Sequence, residues 1–349
     1  AVGLYVGYSF YDIFITSVAV AVASVPESLP VALTVILSIG VDRLAKRKGV
    51  TRKLLAAETL GSTSVILTDK TGTLTEAKMK LADVVAKDPR LKNFIMELAG
   101  LNTQVVIENS DLPFSKWILH GSPLEKAVVS GIAEYGVILP RLSSRVLERL
   151  PFSSASKFSA VIVKKRQEHF LSLLGAPEII LGKCRLPDEE RKKYLDLITE
   201  KAYAGERVLG VAFRELESPR FNILGLNRSR FKEFEFLGIL SFRDPIRPHV
   251  KEVIREIERA GIKTVIVTGD HRGTAEAVAK ELGFKLGEGA VLDGREIDSI
   301  APAELARKLG ALKVFSRVTP EGKLKIVKAY QASGEIVAMT GDGINDAPA

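Results

Sequence analysis

The chain has 349 residues, enough for two or three folded units, each with its own core. Its composition, 46% hydrophobic and 26% charged, is that of a globular protein, yet the apolar residues are unevenly placed along it. A net charge of +8 raises nucleic acid as a partner. No basic stripe with interleaved aromatics supports one, and much of the positive charge instead follows an apolar run, so no nucleic-acid partner is expected. The single Cys184 excludes an internal disulfide, and His120, His169, His249 and His271 form no short-spaced set of zinc ligands.

From Ile13 to Val41 the sequence is apolar over more than the roughly 20 residues a membrane helix needs, with Glu27 among its few polar positions. It is therefore expected to cross a lipid bilayer. Arg43, Lys46, Arg47, Lys48, Arg52 and Lys53 follow it and predict, by the positive-inside rule, that the remainder of the chain is cytoplasmic. Pro26 and Pro30 bracket Glu27, and two prolines so close together predict an unwound helix near mid-membrane. Freed carbonyls beside a carboxylate make Glu27 a candidate ligand for a transported cation.

Beyond this segment, strands are predicted at Ser64 to Asp69, Thr264 to Asp270, Lys313 to Val318 and Ile336 to Asp342, three of them ending on an aspartate. Glycine turns and amphipathic helices at Val250 to Ala260 and Pro320 to Tyr330 follow, the pattern of a doubly wound parallel sheet. Such sheets bind ligands at the carboxyl ends of their strands, where these aspartates converge. Asp69 opens Asp69-Lys70-Thr71-Gly72-Thr73-Leu74-Thr75, a strand-end carboxylate followed by a glycine that lets backbone amides approach phosphate. A carboxylate nucleophile needs no general base, only neutralisation of the attacking and leaving oxygens. Mg2+ held by Asp69 and Asp342, with Lys323 near the start of a helix, is the arrangement the sequence suggests for that task.

Three motifs, DKTGTLT at Asp69 to Thr75, TGD at Thr268 to Asp270 and GDGINDAPA at Gly341 to Ala349, together resemble the signature set of the P-type ATPases. The resemblance covers nearly the whole chain. It implies an α/β fold, a haloacid-dehalogenase-like doubly wound parallel sheet with an inserted α+β nucleotide-binding domain and one N-terminal transmembrane helix. It makes Asp69 the nucleophile, gives Mg2+ the ligands Asp69, Asp342 and the Thr71 carbonyl, and lines the phosphate pocket with Thr268, Gly269, Asp270, Lys323, Asn345 and Asp346. Arg317 and Thr73 are expected to face ATP. Soluble phosphatases of the superfamily usually carry a second aspartate where this chain has Thr71, so a long-lived aspartyl-phosphate is expected.

Between Thr75 and Asp244 the pattern changes to strand pairs, with candidates at Phe158 to Lys164, His169 to Leu174, Arg207 to Arg214 and Phe234 to Phe242. Asp244-Pro245-Ile246-Arg247-Pro248 is similar to the family's return hinge, and its prolines stiffen that crossing. The expected divisions are therefore a membrane segment at 1–41, the phosphorylation domain at 42–77 and 244–349, and the nucleotide domain at 78–243. By resemblance Phe152 stacks on adenine, Lys157 lies nearby, Glu125 contacts the base and Arg207 reaches the phosphates. Gly175 belongs to a stretch the family writes as lysine-glycine-alanine-proline-glutamate. Here it reads Leu174-Gly175-Ala176-Pro177-Glu178, so a cation expected in the pocket is replaced by leucine.

The Pro26 to Pro30 segment and Glu58 to Thr63 most resemble the type II pumps, and a carboxylate with freed carbonyls suits a hard ion such as Ca2+. Pumps of Na+/K+, H+ or Mg2+, or a non-transporting nucleotide-binding fragment, are the alternatives. Nothing resembles the actuator domain, so that domain and further membrane helices of the same pump are expected partners, and the chain reads as a catalytic core fragment.

Overall fold

The computed structural model describes residues 5–24, 28–137, 145–165, 167–216, 223 and 231–342, and the chain divides into two compact units, Ala1–Ser64 and Val65–Ala349. The first unit contains helices α1 (Phe10–Ala23), α2 (Ser28–Lys46) and α3 (Leu54–Gly61), none of which buries a side chain. Ser9 caps α1 by accepting from the Asp12 amide. The stretch Phe10–Lys46 is long and apolar enough to cross a membrane by length and composition. Phe14, Val18, Leu33 and Ile36 are all exposed along it, as lipid-facing side chains are. Pro30 stands in the first turn of α2, where a missing amide costs no helical hydrogen bond. Glu27 and Pro26 lie outside the described residues.

The second unit is organised by two large sheets. The first is parallel, with β1 (Val65–Thr68), β10 (Lys263–Val267), β11 (Val291–Asp293), β12 (Val314–Ser316) and β13 (Val337–Thr340) in the order β11-β12-β10-β1-β13. β1 therefore lies inside the sheet, Val65 pairing with Lys263 on one side and Val337 on the other. Side chains alternate between faces, and both faces are covered. Val265 and Val267 pack with Leu67, Ile326 and Tyr330 on one side, while Ile266 packs with Leu74, Ala275 and Leu282 on the other. Helices α8 (Val250–Arg259), α9 (Arg272–Leu282), α10 (Gly294–Ser299), α11 (Pro302–Lys308) and α12 (Pro320–Ala332) supply those layers. The strands expected to end on Asp69, Asp270 and Asp342 stop one to three residues short, which leaves the carboxylates in the turns beyond the sheet.

The second sheet is antiparallel, in the order β2-β9-β8-β7-β6-β5, from β2 (Lys80–Ala86), β5 (Val146–Leu150), β6 (Phe158–Lys165), β7 (Glu168–Gly175), β8 (Arg207–Leu216) and β9 (Glu235–Arg243). One face carries α4 (Lys92–Leu101) and α5 (Pro123–Glu134), the other α6 (Pro177–Leu181) and α7 (Asp188–Tyr203). Val161 and Val163 point to the first core while Ala160 and Ile162 point to the second. A hairpin of β3 (Val106–Glu108) and β4 (Ile118–His120) completes the strands. The four strands expected in the insert form within a residue or two of their expected limits, and β2 and β5 extend the sheet at its two edges.

The crossings between the two sheets are tied together. Thr75 and Ile246 form an antiparallel bridge, the Thr75 hydroxyl donates to Asp244 Oδ2 at 2.6 Å, and the Glu76 amide donates to the Pro245 carbonyl at 3.0 Å. Thr75 is fully buried, so this hydroxyl–carboxylate bond has little competition from water.

Candidate active site

Asp69 stands just past β1, its amide donating to the Thr340 carbonyl of β13 at 2.8 Å. Its side chain is buried and doubly engaged: Lys323 Nζ reaches Oδ1 at 2.6 Å, and the Thr71 amide donates to Oδ2 at 3.0 Å. Lys323 is placed by the start of α12, where Thr319 is the N-cap, accepting from the Gly322 amide, and Pro320 occupies the first turn. With a cation on one oxygen and an amide on the other, the Asp69 carboxylate is fixed in orientation.

The turn after Asp69 is shaped by Gly72, which has φ +77° in the left-handed region. A Cβ on Gly72 would lie 1.5 Å from Asp342 Oδ2, so the Asp342 carboxylate rests directly on the glycine backbone. Arg247 grips the same turn from outside: Nη2 and Nε donate to the Gly72 carbonyl at 2.6 and 3.2 Å, and Nε also reaches the Thr75 carbonyl at 3.0 Å. Asp69 and Asp342 thus flank the backbone of Thr71 and Gly72. This all-oxygen set suits a hard divalent cation such as Mg2+, and the space above Gly72 that a Cβ would fill is what admits the second carboxylate. Thr73 is half-buried in the same turn.

The second motif closes on the first. Lys70 Nζ pairs with Asp270 Oδ2 at 2.7 Å, the Asp270 amide donates to Thr268 Oγ1, and Thr268 is itself buried between the β10 and β12 ends. A Cβ on Gly269 would meet only the Val318 carbonyl, at 3.7 Å. Asn345 and Asp346 lie outside the described residues. A cavity of about 410 Å³ opens beside this cluster and is lined by Lys70, Thr71, Asp270 and His271 from one lobe and by Arg207 from the other. Arg207 thus lines the same cavity as Lys70, Thr71 and Asp270.

A separate cavity of about 340 Å³ lies within the antiparallel lobe, where Glu125, Phe152, Leu174 and Gly175 come together with Asn102 and Leu209. Phe152 is 58% exposed at its rim, free to stack on a planar ring. Glu125 also serves its own helix: with Ser122 it forms a capping box, and its Oε1 accepts from the Gln104 amide at 3.2 Å. Gly175 is required by close approach, since a Cβ there would stand 2.3 Å from the Lys157 carbonyl. Lys157 meets the cavity residues through this backbone contact and is otherwise exposed. Leu174 is buried in the cavity floor.

Sequence reasoning missed two features here. Asn102, buried under the second cavity, donates to the Leu98 carbonyl and to Ser172 Oγ at 2.9 and 3.0 Å. Arg247 was visible only as part of a proline-flanked hinge, although an arginine between two prolines has few local partners and is free to reach back.

A family model described as haloacid dehalogenase-like hydrolase matches residues 63–349. The calcium-transporting ATPase of Bacillus subtilis is 36% identical over the whole chain, which covers 43% of that protein. The calcium-transporting ATPase 1 of Saccharomyces cerevisiae is 32% identical and the cation-transporting ATPase pma1 of Synechocystis 34% identical, again over the whole chain, covering 40% and 43% of their lengths. The chain thus spans less than half the length of these relatives. The likeness read from three motifs extends through both lobes, and the chain belongs to the haloacid dehalogenase-like hydrolases, among the P-type cation-transporting ATPases.

Proposed function

We propose that this chain carries the phosphoryl-transfer machinery of an ATP-driven cation pump, with Asp69 as the phosphate acceptor. The observation that carries this reading is the buried Asp69 carboxylate at the end of β1, held by Lys323 at 2.6 Å and by the Thr71 amide at 3.0 Å. A carboxylate oxygen of Asp69 attacks the γ-phosphorus of ATP, the bond to the β,γ-bridging oxygen breaks, and ADP leaves with that electron pair. Lys323 offsets negative charge on the transferring phosphoryl group, and Lys70, tied to Asp270, keeps a second cation at the cavity that admits the phosphates. Asp69, the Thr71 carbonyl and Asp342 would hold Mg2+, which supplies charge neutralisation between the phosphoryl oxygens when bound. Glu125, Phe152 and Gly175 receive the adenosine end, with Lys157 beside them, while Arg207 meets the phosphates.

Thr71 leaves the turn after Asp69 without the acid that would activate water there, so the aspartyl-phosphate persists until another domain acts on it. Ca2+ is the preferred cargo because several relatives are named calcium-transporting and a carboxylate at Glu27 suits a hard ion. The membrane segment anchors the pump, and the two lobes work in the cytoplasm. Incubation with γ-labelled ATP and Mg2+, followed by acid quench, should leave a label that hydroxylamine removes. Asp69→Asn should abolish it, and a label persisting in that variant would place the nucleophile elsewhere.

A further inference from the structure

Among the described residues of the expected nucleotide set, Arg317 makes a side-chain contact with a histidine. Its backbone lies in the left-handed region at φ +52°, a conformation a long side chain seldom adopts. Two contacts hold it there. Its amide donates to the Asp270 carbonyl at 2.8 Å, and its own carbonyl lies so close to Gly294 that a Cβ on that glycine would approach it to 2.4 Å. Held in this way, the guanidinium reaches His271, with Nη2 and Nε converging on Nδ1 at 2.5 and 3.2 Å.

Arginine has donors and no acceptor, so the Nδ1 that meets it must carry a lone pair. The contact therefore exists only with neutral imidazole protonated at Nε2. We propose that His271 is a positioning residue: in its neutral form it holds the Arg317 guanidinium beside the cavity that admits the nucleotide phosphates, and its protonation releases that guanidinium. An imidazolium would present an N–H and a positive charge to the arginine. A second partner already stands near: Asp293 Oδ2 is 3.7 Å from Arg317 Nη1, and that carboxylate, largely buried at the start of α10, is where the released arginine goes.

Other charged groups surround His271. Lys70 and Asp270 form an ion pair at the cavity wall, Glu206 and Arg207 face it from the antiparallel lobe, and Arg272 pairs with Glu276 on the histidine's own helix. Arg243, paired with Glu281, and Asp244, bonded to Thr75, line the far side. All of these persist when only His271 is changed, so any titration of theirs, or of the ligand, is common to the variants compared below.

This inference rests on the nucleotide reading given above, and the test separates the two. ADP binding with Mg2+ is measured by titration calorimetry on the whole chain in detergent micelles, at about pH 7.5 and about pH 5.5, on either side of the ordinary imidazole range. The unmodified chain should bind about tenfold more weakly at the lower pH than His271→Asn, having matched it at the higher pH, because a side-chain amide oxygen accepts from arginine without titrating. His271→Gln serves as a second variant, since asparagine at the N-cap of α9 has a competing use in capping that helix. Arg317→Gln should bind weakly at both values, and adding His271→Asn to it should change nothing further. If both amide variants keep the full pH drop of the unmodified chain, His271 does not control Arg317 and the inference fails alone. If the unmodified chain binds no ADP at either pH, the nucleotide reading fails and takes this inference with it.

Discussion

Replacing Gly72 with alanine tests the metal end of the site with a single methyl group. The left-handed φ of +77° costs a residue with a Cβ about 1–2 kcal/mol. The new methyl would also stand 1.5 Å from Asp342 Oδ2, a separation that no two such atoms tolerate, so one of them has to move. The backbone is the less free partner, because Arg247 holds the Gly72 carbonyl with two N–H groups at 2.6 and 3.2 Å. Asp342 therefore swings away, and the site keeps one carboxylate where it had two. Disturbing even the outer partners of a metal ligand lowers affinity about 10- to 100-fold, so the Mg2+ concentration supporting half-maximal phosphorylation of Asp69 should rise by at least about tenfold. The melting temperature should fall by roughly 2–8 °C from the backbone term, while metal-free ATP binding in the antiparallel lobe stays unchanged. An unaltered Mg2+ requirement in Gly72→Ala would refute the placement of Asp342 above this turn.

Leu174→Lys should tighten ATP binding about tenfold by adding a charged donor to the floor of the second cavity, and unchanged affinity in calorimetry would mean that another group already fills that need. Lys263 gives a pH dependence of stability. Its side chain donates to the Leu309 and Gly310 carbonyls beyond α11, and burial, reinforced by Lys313, pushes its pKa below 10.5. A base with a depressed folded value binds fewer protons folded than unfolded, so stability rises as pH climbs through the folded value and levels off above the unfolded one. Chemical denaturation of Lys263→Met should lack that alkaline gain, and an identical alkaline slope in both proteins would exclude Lys263 as its source.

Much of the candidate site was legible because its chemistry is local. Asp69 to Thr75 gives the strand-end carboxylate, glycine and turn in seven consecutive residues, and the apolar runs before Asp69 and Asp270 mark the strands that carry them. Strand β11 was not legible: three residues, Val291–Asp293, give no periodicity to read, and pairing with β12 is what makes them a strand. Strand β2 is similarly hidden, because Lys80–Ala86 lies at a sheet edge and only Val84 of its seven residues is buried. The grips of Arg247 on Gly72 and of His271 on Arg317 join residues far apart in sequence, and no spacing rule foretells which long side chain will cross such a gap. The break expected at 26–30 falls largely on residues 25–27, outside the described residues, and Pro30 itself stands in the first turn of α2.

The position of β1 between β10 and β13 has a consequence for synthesis on the ribosome. Val65 pairs with Lys263, roughly 200 residues later, and with Val337 later still. At about 5–20 residues per second, the strand bearing Asp69 waits roughly 10–40 s for its first neighbour, and longer for the second. The antiparallel lobe, complete by Arg243, can condense during that interval and draw Thr75 and Asp244 together. The strand bearing Asp69 is thus among the first residues of its unit to be made and among the last to gain both neighbours, and a nascent chain arrested before β13 would expose one apolar edge of it to chaperones.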